Sequence, residues 1–423
     1  MYKIKSGTRM IQTRSDIKNN QYKIYNNSTG NELELNSIAA ALLRKYYKKD
    51  AIDKMSTSIL AGTLFKELVN AGIIIDSTTA SNNVFLSKRC EYSLPLTALS
   101  LELTDACNLN CIHCYGSFGC PKQSKTIPFQ WIKDNIPVFN DLNVRKIALT
   151  GGESTLHPDF LQIAELLLKE GFEVCIFSNG YNTEVLQKLL SKTREYKYMI
   201  KISLDGNEET HGIIRNNSNS YKRAIEAIRE VSKYSNISLY ISTVVMKNNI
   251  DKIDELSSYI AQEFPGAIHT KDLIFPMGNA SNLSFNVADF DYINKKVPSV
   301  FVNKEAPVTN GKTHFRCSGG ISQATLTPGG YLKICNAAAD ERFYFKHNVF
   351  EKGLKKAWIE CGDNIQYYRN EKACSTIDCK QCSSKEVCTM TDCRVLAYSY
   401  LNNCRRSNPV TCYAVKTHRK DNK

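Results

Sequence analysis

Nowhere in its 423 residues does the chain have an apolar run long enough to cross a bilayer. Its first twenty residues, Met1 to Asn20, lack the apolar stretch of a secretory signal and are instead polar and scattered with charge. Neither membrane insertion nor export is expected, and the expected compartment is the cytoplasm, where thiols stay reduced. Acidic residues are in deficit: 42 Asp and Glu face 55 Lys and Arg, a formal charge of +13. Such a balance favours an acidic partner, for instance an acidic peptide, while solvated lysines in a lysine- and asparagine-rich chain explain it equally well. No arginine-rich run or basic–aromatic repeat is present, so nucleic acid is not an expected partner. Cysteine, by contrast, is abundant, with 16 copies. In a reducing compartment that number points to metal or cluster binding rather than to disulfides.

The length suggests two or three domains, and the pattern changes near residues 93 and 308. In residues 1–93, Gln21 to Tyr25 and Glu32 to Leu35 read as strands around the turn Ser28-Thr29-Gly30. Asn36 or Ser37 caps a helix through Ile38, Leu42, Leu43 and Tyr46. A second helix carries Leu60, Leu64, Phe65 and Leu68 on one face and stops near Gly72. Ile73 to Ile75 is a returning strand, and Ser77 to Asn83 a linker.

In residues 94–308 six strands alternate with helices: Ala98 to Leu103, Lys146 to Leu149, Glu173 to Phe177, Met199 to Leu204, Ser238 to Val245 and Leu273 to Phe275. The helical segments are Phe129 to Leu142, Asp159 to Lys169, Glu184 to Leu190, Ser220 to Val231 and Ile250 to Glu263. This alternation predicts an α/β fold, a partial (β/α)6 barrel with helices outside and functional groups on the loops that follow the strands. Residues 309–423 have poor periodicity, and eight of the 16 cysteines fall between Cys317 and Cys393. Metal rather than a large apolar core is expected to organise that part.

The first barrel strand runs directly into Cys107-Asn-Leu-Asn-Cys111-Ile-His-Cys114-Tyr115. Three thiolates at C-x3-C-x2-C can hold three irons of a cubane cluster. The fourth iron then lacks protein sulfur and is open to a small molecule that chelates through an amine and a carboxylate. A zinc site using His113 as a further ligand is the plainer alternative. Gly151-Gly152-Glu153 follow the second strand, Ser178-Asn179-Gly180 the third, and Ser203-Leu204-Asp205-Gly206 the fourth, with His211 and Arg215 downstream. Glycines let backbone approach a ligand closely. Glu153 can accept from an ammonium, and the Arg215 fork suits a carboxylate.

Together these motifs resemble the radical S-adenosylmethionine (SAM) superfamily over roughly Leu99 to Met277. The resemblance implies that Cys107, Cys111 and Cys114 hold a [4Fe–4S] cluster whose open iron binds SAM. It implies that His113, Tyr115, Gly151, Gly152, Glu153, Ser178, Ser203, Asp205 and Arg215 surround SAM. Ser203 would meet the ribose or carboxylate and Arg215 the methionyl carboxylate. Asp205 would either join them or hold its loop together, and His211 would be structural. The implied chemistry is reductive cleavage of SAM to methionine and a 5′-deoxyadenosyl radical, which takes hydrogen from a substrate carbon. An electron donor such as flavodoxin or ferredoxin is implied as well. No side-chain base is needed for that step, so the lack of a Ser/His/Asp set excludes little, and no residue is assigned a catalytic role.

The later cysteines read Cys317, Gly330, Cys335, then Cys379-x2-Cys382-x5-Cys388-x4-Cys393, then Cys412. They resemble the SPASM extension of radical enzymes that modify peptides, which usually has three residues where Thr389 to Asp392 stand here. That resemblance implies two auxiliary [4Fe–4S] clusters. Cys379, Cys382, Cys388 and Cys412 would hold one. Cys317, Cys335 and Cys393 would contribute to the other, with Cys374 or an open iron as its fourth position, and Cys404 could replace Cys412. Structural zinc is the alternative for sets of four cysteines. Cys90, Cys120, Cys175 and Cys361 are not expected to be ligands, Cys175 reading as a core residue in mid-strand.

The first part resembles the winged-helix-like recognition domain of maturases for ribosomally made peptides. That implies a precursor peptide whose leader adds as a strand to a sheet edge, with Lys45, Lys48 and Lys49 favouring an acidic leader. A cap that only stabilises the barrel is an alternative. So is a winged helix for nucleic acid, although the second helix lacks the arginines of a recognition helix. The whole resembles a peptide maturase of the thioether-forming, sactipeptide type, with a thioether as the first expectation and a carbon–carbon or carbon–oxygen crosslink as the next. Two rival readings are a sulfatase-maturing oxidase and a non-catalytic iron–sulfur or zinc scaffold. Sulfatase-maturing enzymes carry a further cysteine where Gly311 stands here.

Overall fold

The computed structural model describes residues 2–14, 21–49, 51–58, 61–76, 84–86, 94–119, 123–283, 285, 287–301, 317–370, 376–383 and 393–420. Expectations placed on Cys90, Cys120, Cys374, Cys388, Gly311, the Ser77 to Asn83 linker, the Thr389 to Asp392 spacer and the boundaries near 93 and 308 lie outside the described residues.

The first part forms β1 (Tyr2–Ile4), β2 (Thr8–Arg14), β3 (Gln21–Asn26), β4 (Asn31–Asn36), β5 (Ile74–Asp76) and β6 (Phe85–Leu86), with helices α1 (Ser37–Lys48) and α2 (Gly62–Asn70). The strands β4, β3, β2 and β6 form one sheet in that order, and β1 pairs with β5. Asn36 caps α1 as expected, accepting from the Ala39 N–H at 2.8 Å.

Strands β1 and β2 were not foreseen. In β2 the polar Arg9 and Gln12 are buried as deeply as Met10 and Ile11. Their partners lie more than a hundred residues away. Arg9 donates to the carbonyls of Val144 (2.9 Å) and Glu170 (3.2 Å), and its guanidinium lies 3.9 Å from the Phe172 ring centre. Gln12 and Asn143 exchange two hydrogen bonds, at 3.2 and 2.6 Å. The first part therefore docks on the end of the barrel where the strands begin.

The barrel strands are β7 (Ala98–Glu102), β8 (Lys146–Thr150), β9 (Glu173–Ser178), β10 (Tyr198–Ser203), β11 (Ile237–Val245) and β12 (Ile268–Leu273), all parallel and adjacent in chain order. Around them run α3 (Phe129–Asp134), α4 (Ile136–Asp141), α5 (Phe160–Lys169), α6 (Thr183–Lys192), α7 (Glu208–Arg215), α8 (Ser220–Val231) and α9 (Ile253–Glu263). The helix expected over Phe129 to Leu142 is two helices, because Pro137 at the start of α4 has no N–H to continue the ladder. The sixth strand lies earlier than expected. Its Ile-His-Thr-Lys-Asp-Leu sequence is mostly exposed or half-buried and lacks an apolar signal.

Burial alternates along the central strands, as in Ile147 and Leu149 or Ile200 and Ile202, which pack under the helices. The intervening residues face the lumen. Cys175 is one of these, so it is not the core residue the sequence suggested: its sulfur lies 3.4 Å from Met199 Sδ and it lines a cavity near the start of the strands.

The last part is not organised by its cysteines alone. Strands β13 (Gln323–Leu326), β14 (Tyr331–Lys333) and β15 (Tyr344–Asn348) extend the barrel sheet, with β13 parallel to β7. The sheet runs β12-β11-β10-β9-β8-β7-β13-β14-β15. Leu326, Leu332, Phe343, Phe345 and Trp358 join the same apolar core as the barrel. Among the described residues, no helix is long and apolar enough to cross a membrane.

Candidate active site

At the end of β7 the chain turns into a loop that carries Cys107, Cys111 and Cys114, and backbone bonds pin it on several sides. Gly152 N–H donates to the Thr104 carbonyl (2.8 Å) and Glu153 N–H to that of Ala106 (2.9 Å). Ile112 N–H reaches Ile214 O (3.0 Å), and Asn279 N–H reaches Cys114 O (2.9 Å). The two glycines serve this loop: a Cβ on Gly151 would strike the Thr104 carbonyl and one on Gly152 that of Ala106. Gly151 also has φ +140°.

The three sulfurs border a cavity of about 360 Å³ at the strand ends, where barrel sites are expected. His113, Tyr115, Gly151, Gly152, Glu153, Ser178, Ser203 and Arg215 line it too. Asp205 does not line it; it lies fully buried behind Arg215. Arg215 Nε donates to Asp205 Oδ2 at 2.7 Å, its Nη2 lies 2.6 Å from the same oxygen, and its Nη1 points at Cys111 Sγ, 3.7 Å away. Asp205 Oδ1 accepts from Val244 N–H at 3.0 Å. Burial pushes the Asp205 carboxyl up, but Arg215 and the facing histidines pull harder and hold it below the usual carboxylate range.

Glu153 is engaged by its own protein. It accepts from Thr155 N–H (3.2 Å), Thr155 Oγ1 (2.7 Å), Ser178 Oγ (2.9 Å) and Asn179 N–H (2.7 Å). The loop after β9 is thereby tied to the loop after β8. Asn179 in turn donates from Nδ2 to Asn108 Oδ1 (2.8 Å) and faces Cys107 Sγ at 3.9 Å.

Residues the sequence did not flag also border the cavity, among them Ser242, Asp272 and Asn336. Ser242 lies within β11, before the loop on which the strand-end rule would look. Asp272 escaped because the sixth strand was placed too late in the chain.

Burial drives the Cys107 thiol up to about 12 and lifts that of Cys111, which Arg215 opposes. Buried thiols that resist ionisation, as Cys107 and Cys111 do, need a cationic centre to become thiolates. An iron–sulfur cubane supplies one, taking one thiolate per iron. Among the described residues, no three His, Cys, Asp or Glu side chains converge closely enough to surround a single metal ion.

Two further groups of cysteines lie in the last part. Burial first, and then the nearby Cys317, raise the thiols of Cys335 and Cys393, and Cys335 adds to the rise at Cys393. Cys393 Sγ also accepts from Leu396 N–H (3.5 Å) at the start of the helix Arg394–Leu401. Elsewhere the segment with Cys379 and Cys382 is stitched to the one before Cys412. Thr376 bonds Ser407 (2.6 Å), Arg406 pairs with Asp378 (2.8 Å), and Cys379 Sγ lies 3.1 Å from Ser407 Oγ. Cys404 lies by Arg342 and Tyr398, and Cys361 faces Gln366 Oε1 at 3.6 Å.

His211 sits beneath this site with Nδ1 accepting the Asp205 N–H at 3.0 Å and Nε2 unpartnered. Burial, then the charge of Arg215, drives its imidazole down to about 3. In the unfolded chain it titrates near 6.5. Between about pH 6.5 and 4 the unfolded state therefore binds the proton and the folded state does not, so stability falls as pH falls. Denaturant midpoints are expected to drop across that range. His211→Asn should flatten the decline, by up to about 1.4 kcal/mol per pH unit.

Residues 101–260 match the Radical SAM superfamily. The chain is 25% identical over 277 residues to the mycofactocin maturase MftC of Mycolicibacterium smegmatis, a match covering 62% of this chain and 69% of that one. It is 27% identical over 277 residues to the subtilosin biosynthesis protein AlbA of Bacillus subtilis, spanning 62% of this chain and 60% of AlbA. Among solved structures, SuiB of Streptococcus suis bound to its precursor peptide SuiA aligns over 97% of this chain and 100% of that one, with TM-score 0.61 at 15% identity, a likeness of fold. The loop of three cysteines on an α/β barrel and the sequence match agree, and the chain, with a radical SAM domain over residues 101–260, is a radical SAM enzyme.

Proposed function

We propose that this enzyme is a peptide maturase, which uses a radical to install a crosslink, first of all a thioether, in a ribosomally made precursor peptide. The observation that carries the reading is the union of two features in one chain: a three-cysteine cavity at one end of the barrel and a separate small domain docked at the other. The maturases MftC and AlbA, alike in sequence, and the SuiB–SuiA complex, alike in fold, support it.

In this reading Cys107, Cys111 and Cys114 hold a [4Fe–4S] cluster. When bound with SAM, the cluster supplies the electron that yields methionine and a 5′-deoxyadenosyl radical. Arg215, locked by Asp205, presents its guanidinium beside Cys111 and toward the methionyl carboxylate. Ser203 takes the ribose side, and His113, Tyr115 and Ser178 shape the walls. Gly151 and Gly152 seat the cysteine loop. Glu153, with four donors already on it, orders the loops around the methionyl ammonium. Cys317, Cys335 and Cys393 contribute to one auxiliary cluster; Cys379, Cys382, Cys388 and Cys412 hold a second, in a SPASM-type domain.

The first part acts as a winged-helix-like recognition domain. Among the described residues β4 pairs only with β3, so its outer edge offers backbone groups to an added strand. Exposed Lys45, Lys48 and Lys49 favour an acidic leader.

The test is anaerobic turnover of reconstituted enzyme with SAM, dithionite and a short cysteine-containing peptide encoded beside it. The expected product is the peptide lighter by two hydrogens, with its cysteine no longer alkylatable. Formation of 5′-deoxyadenosine with every neighbouring peptide unchanged would overturn the reading. An aldehyde on a sulfatase peptide would do so too, and would place the chain with the sulfatase-maturing enzymes.

A further inference from the structure

Lys333 and Glu102 form an ion pair at 2.7 Å in which both side chains are only 3% exposed. Removing two charges from water costs several kcal/mol each, so a buried pair is a poor source of stability and needs another reason to exist. Its place in the chain suggests one. Glu102 ends β7, the strand that runs into the loop of Cys107, Cys111 and Cys114. Lys333 ends β14, two residues before Cys335.

Lys333 Nζ also donates to the Asn336 carbonyl at 3.0 Å, across the turn that carries Cys335. Asn336 Oδ1 accepts from Thr325 Oγ1 at 2.8 Å on β13, and Asn336 and Ala337 border the active cavity. The cysteine loop after β7 has backbone anchors of its own, at Gly119, Gly152, Glu153 and Ile214. The Cys335 turn is held by Ile334 N–H on Phe343 O (3.1 Å) and Ala338 N–H on Cys335 O (3.2 Å), and the ammonium adds the tie that joins it to β7.

We propose that Lys333, held by Glu102, is a positioning residue that sets the Cys335 turn, and with it the Cys317–Cys335–Cys393 site, against the strand feeding the radical-forming loop. A cation so placed favours the reduced form of any cluster on Cys335. The inference rests on the auxiliary-cluster reading for those three cysteines.

Replacing Lys333 alone leaves a buried carboxylate without its partner and can unfold the protein. The informative variant is therefore the double change Glu102→Gln with Lys333→Met, which removes both charges and keeps the shapes. Iron and sulfide per chain should match the parent, and 5′-deoxyadenosine formation should stay within about threefold. The midpoint potential of the auxiliary cluster, followed by EPR-monitored titration, should move to a more negative value. Crosslinked peptide per 5′-deoxyadenosine should fall roughly tenfold, about 1.4 kcal/mol of lost coupling. An unchanged potential and an unchanged product ratio at full iron content would overturn the proposal. Parent protein with iron for a single cluster would overturn instead the auxiliary-cluster reading on which it rests.

Discussion

Cys111→Ala is expected to abolish 5′-deoxyadenosine formation, by on the order of a thousand-fold or to the level of a protein-free control, equivalent to about 4 kcal/mol of barrier. The sulfur is buried, with Arg215 Nη1 3.7 Å away, and no other described cysteine is on the loop to replace it besides Cys107 and Cys114. Two thiolates leave a cubane with too few protein ligands. The fold should survive, because the loop is held through backbone groups that alanine keeps. Ile112 N–H still reaches Ile214 O, and Asn279 Nδ2 still donates to the Cys111 carbonyl at 3.2 Å. Thermal unfolding of the metal-free variant should match the metal-free parent within about 1 kcal/mol, while iron content and SAM cleavage are lost. A variant that keeps dithionite-dependent SAM cleavage would show that these cysteines are not the cluster ligands. A scaffold without catalysis would have no activity to lose.

Asp205→Ala is expected to have the largest effect on stability. Arg215 and Asp205 are 8% and 0% exposed as side chains, and no other carboxylate pairs with Arg215 among the described residues. Removing the acid leaves a buried guanidinium with only the Cys111 sulfur in front of it. Breaking such a pair typically costs about 3–5 kcal/mol, and the Val244 N–H that Asp205 Oδ1 accepted is orphaned as well. Equilibrium unfolding in denaturant should show that loss. Arg215 would also be free to swing away from the cavity, so SAM affinity should fall in step. Asp205→Asn keeps the shape and the Val244 bond but not the charge, and should land between the two. Parent-like stability for Asp205→Ala would mean that solvent reaches Arg215 and that the pair does not hold the site.

Much of the site could be read from neighbouring residues in the chain. The spacing of Cys107, Cys111 and Cys114 lies within eight positions, so one loop must bring them near one another whatever the rest of the chain does. Gly151-Gly152-Glu153, Ser178 and Ser203 were recognisable because each ends or directly follows a strand whose alternation is clear. Their roles were less legible. Gly151 and Gly152 make room for the cysteine loop as well as lining the cavity, and Glu153 accepts from Thr155, Ser178 and Asn179. Those partners are backbone and hydroxyl groups that no pattern announces. Asp272 was missed because a half-exposed edge strand carries no apolar period, and β2 because its polar residues are buried against partners far along the chain.

By itself the sequence determined the α/β alternation, the cysteine loop at the end of the first barrel strand and the clustering of later cysteines, since all three depend on local periodicity and spacing. Only the tertiary structure decided that β13 continues the barrel sheet beside β7, that Arg9 and Asn143 seat the first part at the opposite end of the barrel from the cysteines, and that Lys333 meets Glu102 between two cysteine loops. The physical reason is common to all of these. A buried charge or amide is tolerated only where a partner completes it, and here the partners stand 131 to 231 residues away in the chain, at distances that only folding closes.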